Sequence, residues 1–536
     1  MKAACLFVAM CLTLSSATAA TIGGIDAETN TITLALSQEP RSLNSLTAES
    51  VSYTAQLMVH VQEGLMRYDG RRKLRGGVAD RWEVSPTEMR FWLRPARWQN
   101  GEPVTAHDFV FAWQQLVSPD TGSPSATLAS PIKNASKILR GEMQPTSLGV
   151  KTIDDRQLQV LLEHPCAWCL KLMTNSIFYP VNRRFFEAQG ERYGTSPDTH
   201  LANGPFQVKA WQRGKNIHLK KNENYWGEDR VHLENIHFDY IGSDAKTVFN
   251  LFRSGGIAAA SLDRETIPDS LREGYRLRTY PSGHLFNIQF SHLDGMLSAN
   301  ENMRKAVAYV IDKDEMVNRI VASPGSRIAD SLFHDWLTIG DVRFLQLRPP
   351  TPHRVDIDKA KMHLRKARQE VGMDREMAMT LTINDTGLYR RIAEYLQQQL
   401  SRHLNIELAI DPQVTQMMVE KWRRGESDMT LTTWPVDVDD PMDQISFMGN
   451  PEFRTVLKGL YKGDDMAALY FENRDAITTQ ERVEAVYRVQ QFFESRVTVI
   501  PLFEFYGASV INPKLRGFVW QPVRGYGDFR YSRIVN

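Results

Sequence analysis

The chain has 536 residues, and 64 lysines and arginines stand against 63 aspartates and glutamates, a net charge of +1. That balance argues against a surface for nucleic acid, which needs a basic excess gathered on one face to displace phosphate counterions. Hydrophobic residues at 42%, charged at 24% and aromatic at 10% are ordinary globular values, so disordered, collagenous and membrane-channel classes fit poorly.

In chain order, the first predicted element is an address. Lys2, the apolar run Ala3 to Leu14 and the small-x-small triplet Ala17-Thr18-Ala19 predict a cleavable export signal over residues 1–19. That apolar run, about 12 residues, falls short of the ~20 needed to span a bilayer. Met10 before Cys11 does not suit lipoprotein cleavage. With Cys5 and Cys11 in the leader, the mature chain keeps Cys166 and Cys169. Their C-A-W-C spacing admits a short-range disulfide, a redox pair or two zinc ligands. No second C-x-x-C or H-x-H cluster completes a zinc site. No βαβ unit is legible around the pair for thioredoxin-type chemistry. The favoured reading is a structural pair or two free thiols.

Met89 to Leu93 reads as a strand, Asn100-Gly101 as a turn, and Thr105 with Asp108 as a capping box. The helix that follows carries Phe109, Val110, Trp113, Leu116 and Val117 at helical spacing, as core. Leu158 to Leu162 is another strand. Asp312 with Glu315 starts a helix through Met316, Ile320 and Val321, and Asp358 starts one through Ala360, Leu364 and Ala367 that stops at Gly372. From 376 to 433 the pattern is β-α-β-α-β: strands at Met379 to Ile383, Ile406 to Ile410 and Met429 to Thr433, with helices near 389–402 and 415–424. This predicts an α/β fold with a parallel sheet whose ligands sit outside the carboxyl ends of the strands. At about 150 residues per domain, the length predicts three or four folding units.

Several of these segments carry a resemblance. Asn100-Gly101-Glu102-Pro103-Val104 leading into Thr105-Ala106-His107-Asp108-Phe109, the triplet Asn224-Tyr225-Trp226, Ala306 through Lys313, and Trp434 through Pro441 are similar, in order, to the extracytoplasmic solute-binding proteins of family 5, the oligopeptide-binding (OppA-like) group. The match runs in register from about Ile32 to the C-terminus. It implies a two-lobed periplasmic binding protein (type II, cluster C) with an additional inserted α/β domain, hinge-closing around its ligand. In this numbering, residues 20–62, 179–281 and 506–536 would form the first lobe, 63–178 the insert, and 282–505 the second ligand-binding lobe. The implied partners are a peptide and the permease subunits of an ABC importer. No cofactor, metal or nucleic acid is expected, and the receptor would be a monomer in the periplasm.

A receptor for peptides of varied sequence must grip what they share: backbone groups, a carboxylate and a charged amino terminus. Asp437, just past a predicted strand end, falls where the family's amino-terminus-binding aspartate stands. Read from the residues alone, Asp437, Asp439 and Asp440 are equally a solvated acidic turn. Leu431, Thr432 and Thr433 match the strand that pairs with the ligand backbone, and Glu49, Ser50 and Val51 match the segment on its other side. Trp434 and Phe505 match the pocket wall.

The chain also departs from the group. Leu431 replaces an arginine that helps neutralise the ligand carboxylate, Tyr389 a contributing histidine, and Thr415 a pocket tryptophan. Ser282 and Pro435 stand where the group has a disulfide. Arg390 or Arg391 could supply a substitute charge for the carboxylate, but two arginines on a helix more often face solvent. The amino-terminal anchor is thus kept while the far end is rebuilt, which leaves room for a murein peptide, a dipeptide, an antimicrobial peptide or a metal chelate. An enzyme is not expected, because G-x-S-x-G, H-E-x-x-H and G-x-x-x-x-G-K-[ST] are all absent from the sequence. The remaining alternative is a thiol-active protein using Cys166 and Cys169.

Overall fold

A computed structural model describes residues 23–48, 53–372, 377–451, 457–461, 463–521, 523 and 526–535. The expected signal over 1–19 and the expected ligand-flanking residues Glu49, Ser50 and Val51 lie outside the described residues. Among the described residues, no helix is long and apolar enough to cross a membrane.

Three sheets carry three main bodies. The first is five-stranded, in the order Ile25–Asp26, Thr31–Leu36, Asn235–Ile241, Asn216–Lys221 and Phe206–Gln212. Ile32, Leu34, Phe206, Ile217, Leu219, Ile236 and Phe238 face one core, because alternate residues of a strand point to one side. The second sheet joins Ala79–Ser85, Glu88–Leu93, Gln157–Leu161 and Val150–Asp154. Met89, Phe91 and Leu93 turn inward, and the helix Ala106–Leu116 lays Phe109, Ala112, Trp113 and Leu116 into the same core. Its capping box is formed by Thr105 and Asp108, whose carboxylate accepts the Thr105 N–H at 2.8 Å.

The third sheet runs Ala259–Leu262, Val499–Ile511, Arg278–Phe290, Met429–Trp434, Met377–Asn384 and Ile406–Gln413. Its last three strands are parallel, as the β-α-β-α-β pattern predicts, with Met377 opposite Ile406 and Leu381 opposite Met429. The crossover helices are Gly387–Leu404 and Thr415–Arg424. Pairing of Met429–Trp434 with Met377–Asn384 ends at Thr430 opposite Thr382, whereas its other edge pairs with Arg278–Phe290 along its full length. One edge of the strand is therefore out of the ladder beyond Thr430.

One helix start differs from expectation, and one helix changes its winding. The long helix Ile357–Val371 is capped by Asp356, not Asp358: Asp356 has the extended backbone a cap requires, and its carboxylate accepts the Lys359 N–H at 2.9 Å. Asp312 does cap its helix, bonding the Glu315 N–H, but the helix widens into a π-helical turn over Met316–Val321.

Candidate functional site

At the carboxyl end of Met429–Trp434 opens a cavity of about 770 Å³. One wall comes from the body of the second sheet (Pro124 to Arg140, Glu163 to Trp168), the other from the third (Met418 to Arg423, Thr432 to Asp437, Met442 to Pro451, Tyr470 to Arg474). Thr432, Thr433, Trp434 and Asp437 all line it, so four residues chosen from the sequence meet at one place.

The acidic run does not behave as a solvated turn. Asp440 is wholly buried and paired with Arg482 at 2.5 Å. Asp439 accepts from the Thr338 N–H at 3.0 Å and hydroxyl at 3.1 Å, and faces Lys171 at 3.9 Å. Burial pushes its carboxyl up to about 6, against the pull of Lys171. Of the three acids only Asp437 reaches the cavity; it is half-buried, and its own N–H is held by the Asp443 carboxylate at 3.1 Å.

The other candidate side chains lie away from the cavity. Leu431 is fully buried among Ile288, Leu381 and their neighbours, so its side chain faces the core and only its backbone can meet a ligand. Tyr389 and Phe505 do not line the cavity; their rings pack on Phe286 at 5.1 and 6.1 Å, and the Tyr389 hydroxyl bonds the Thr433 side chain. Arg390 turns to Asp385 at the surface, and neither it nor Arg391 lines the cavity. Its cationic residues are Lys137, Arg140, Arg423 and Arg474. Where the group's disulfide would stand, the Ser282 hydroxyl donates to the Phe505 carbonyl at 2.7 Å.

The walls are aromatic. Trp422 stacks on Phe447 at 5.5 Å and 14°, and Trp434 meets the edge of the same ring at 6.0 Å. The Trp434 indole N–H and both polar atoms of the Gln444 amide are buried in the cavity wall without a protein partner among the described residues. Orphaned groups of this kind cost about 1–3 kcal/mol each unless something enters to bond them, and so they point to a ligand. Gln444, Trp422 and Phe447 were not singled out from the sequence, because they converge only through tertiary packing. Cys166, part of this wall, forms a disulfide with Cys169, and both residues are buried.

Comparison with known proteins agrees with this architecture. Residues 73–453 match the family model described as bacterial extracellular solute-binding proteins, family 5 Middle. Among curated proteins, the dipeptide-binding protein DppE of Bacillus subtilis is 26% identical over 88% of this chain and 86% of its own. The periplasmic oligopeptide-binding protein OppA of Salmonella typhimurium is 25% identical over 85% and 84%. The substrate-binding domain of an oligopeptide ABC transporter from Bacillus anthracis superposes with a TM-score of 0.79 at 26% identity, over 95% of this chain and 99% of that one. Proteins of this family are two-lobed substrate-binding receptors and not enzymes. The sheets, the cavity at the strand ends and a family match over most of the chain place this protein among the bacterial extracellular solute-binding proteins of family 5.

Proposed function

We propose that the protein is the periplasmic substrate-binding component of an ABC importer and that it carries a short peptide in this cavity, exported by its first 19 residues and working as a monomer with permease subunits. In this reading residues 20–62, 179–281 and 506–536 make the first lobe, 63–178 the insert and 282–505 the second lobe. The ligand backbone adds to the free edge of Leu431 to Trp434, and its ammonium sits on Asp437. The observation that carries the reading is the position of Asp437 beside that unpaired edge, in a cavity whose volume lies in the usual range of ~300–1,000 Å³ for small ligands. The names of the relatives, dipeptide- and oligopeptide-binding, support a peptide as the guest. Arg423 and Lys137, both exposed on the cavity wall, are the candidates to face the ligand carboxylate in place of the arginine the chain lacks.

Calorimetric titration of Asp437→Asn tests the anchor. Peptides with free amino ends should bind about 2 kcal/mol more weakly, the lower end for a charge pair desolvated by binding. Their amino-acetylated counterparts should no longer distinguish the variant from the wild type. Unchanged wild-type affinity on acetylation would remove Asp437 from this role.

A further inference from the structure

Outside the lining of the cavity, two histidines and an aspartate meet on the face of the five-stranded sheet turned from its core. We propose that His218, His237 and Asp239 form a binding site for a divalent transition-metal ion, zinc or copper. His218 lies on Asn216–Lys221 and His237 directly opposite it on Asn235–Ile241. Their neighbours Ile217, Leu219, Ile236 and Phe238 fill the core, so the alternation of the strands turns both imidazoles to the other face. The rings stack at 3.9 Å and 19°. His218 Nε2 is 2.6 Å from the Asp239 carboxylate, and one ligating atom from each of the three residues lies within 4.8 Å of the others.

The backbone is bent at the point where these groups gather. Pairing of Asn235–Ile241 with Thr31–Leu36 passes from Phe238 opposite Leu34 to Tyr240 opposite Ala35, which leaves Asp239 as the extra residue of a β-bulge. The neighbouring ladder also shifts register just after His218, where Ala210 is followed by Val208. Bulges re-aim side chains, and here two of them flank the three groups.

Two imidazoles and one carboxylate are a borderline donor set. It suits zinc or copper, with copper binding tighter in the usual order of affinities, and offers too few oxygens for calcium or magnesium. His218 and Asp239 are 28% and 37% exposed, so an ion can enter from solvent and keep water in its remaining positions. The stacked rings must rotate apart slightly to converge, because tetrahedral nitrogen ligands sit ~2.0–2.1 Å from zinc. This site shares no residue with the cavity, so it stands or falls independently of peptide binding.

The test is titration of the chelator-stripped, tag-free protein with zinc chloride alone, in competition with a chromogenic chelator, and with copper sulfate followed by electron paramagnetic resonance. One ion per chain and a copper spectrum with nitrogen hyperfine coupling are expected. His218→Gln, His237→Gln and Asp239→Asn should each weaken binding about tenfold or more. Unaltered melting curves in the absence of metal would show that these surface substitutions leave the fold intact. Absence of saturable binding, or the same stoichiometry and affinity in the triple variant, overturns the proposal and leaves the trio as a hydrogen-bonded surface pair beside a stacked ring.

Discussion

Three acids within four residues have three different fates, and burial with partner identity decides each. Asp440 is held by Arg482, Asp439 by Thr338 and Lys171, and Asp437 alone reaches the cavity. Asp439 also titrates oddly: its native carboxyl is pushed up to about 6 by burial, with Asp440 adding to the effect and Lys171 opposing it. Between about pH 4 and 6 the native chain therefore keeps a proton that the unfolded chain has released. The contribution of Asp439 to stability is fullest below pH 4 and declines as pH rises through 6. Asp439→Asn keeps an acceptor for the Thr338 N–H, and Lys171 retains the Thr338 and Asp439 carbonyls at 3.0 and 2.7 Å. All other titrations are shared by the two proteins, so denaturant unfolding across this range should show the variant gaining on the wild type by up to about 3 kcal/mol. A pH-independent difference would place the Asp439 carboxyl near its ordinary value.

At the level of elements, much of the third sheet was legible in the sequence. Strand and helix periods fix the run from Met377–Asn384 to Met429–Trp434, and the helix over 415–424 falls as expected, because each crossover buries one face against the sheet. Less legible were choices between near-equivalent residues. Asp356 and Asp358 are both good caps, and only backbone geometry selects the first. Leu431 and Thr432 are adjacent in one strand, yet Leu431 packs in the core and Thr432 lines the cavity. Of the aromatic cavity walls only Trp434 was legible, because Trp168 and Phe447 are brought together from different bodies.

Asn203 and two residues of the triplet Asn224-Tyr225-Trp226, Tyr225 and Trp226, converge on Glu63, which is 1% exposed. Asn203 exchanges hydrogen bonds with the Glu63 backbone at 3.0 and 2.9 Å, and the Tyr225 hydroxyl and Trp226 indole donate to its carboxylate. Arg530, near the far end of the chain, completes the pair at 2.6 Å. Gly204 is needed beside it because a Cβ there would meet the Gln62 nitrogen at 2.7 Å. Arg530→Met leaves a buried carboxylate short of its main cation and should cost about 3–5 kcal/mol in urea unfolding. Adding Glu63→Gln removes the stranded charge and should recover part of the loss; strictly additive losses would mean that the pair is not coupled.

Across the whole molecule, two 13-residue strands, Arg278–Phe290 and Val499–Ile511, tie the bodies together. One end of their ladder, Gln289 opposite Val499, lies in the third sheet beside Met429–Trp434. At the other end Val499–Ile511 pairs with Ala259–Leu262, and Asn512 reaches the Ala258 carbonyl, itself hydrogen-bonded through its N–H to Thr33 of the first sheet. Any closure of one lobe on the other must therefore bend both strands. The ladder shifts register between Pro281 and His284, and Gly283 within that shift has φ +77°, a conformation costly for residues bearing a Cβ. If the lobes close about a ligand, we propose this bend as the hinge; a peptide would then shift the population toward the closed form only by contacting that form better. Small-angle scattering should record a smaller radius of gyration when the wild type is saturated with peptide. At 100 times the dissociation constant the same ligand should add about 2.7 kcal/mol to unfolding stability. Gly283→Ala should lower the stability of the ligand-free chain by about 1–2 kcal/mol, because the methyl group disfavours the conformation the strand needs at that bend. Peptide that binds with no change in scattering would make the strand pair a rigid strut, and an unaffected Gly283→Ala would move the bend elsewhere in the ladder.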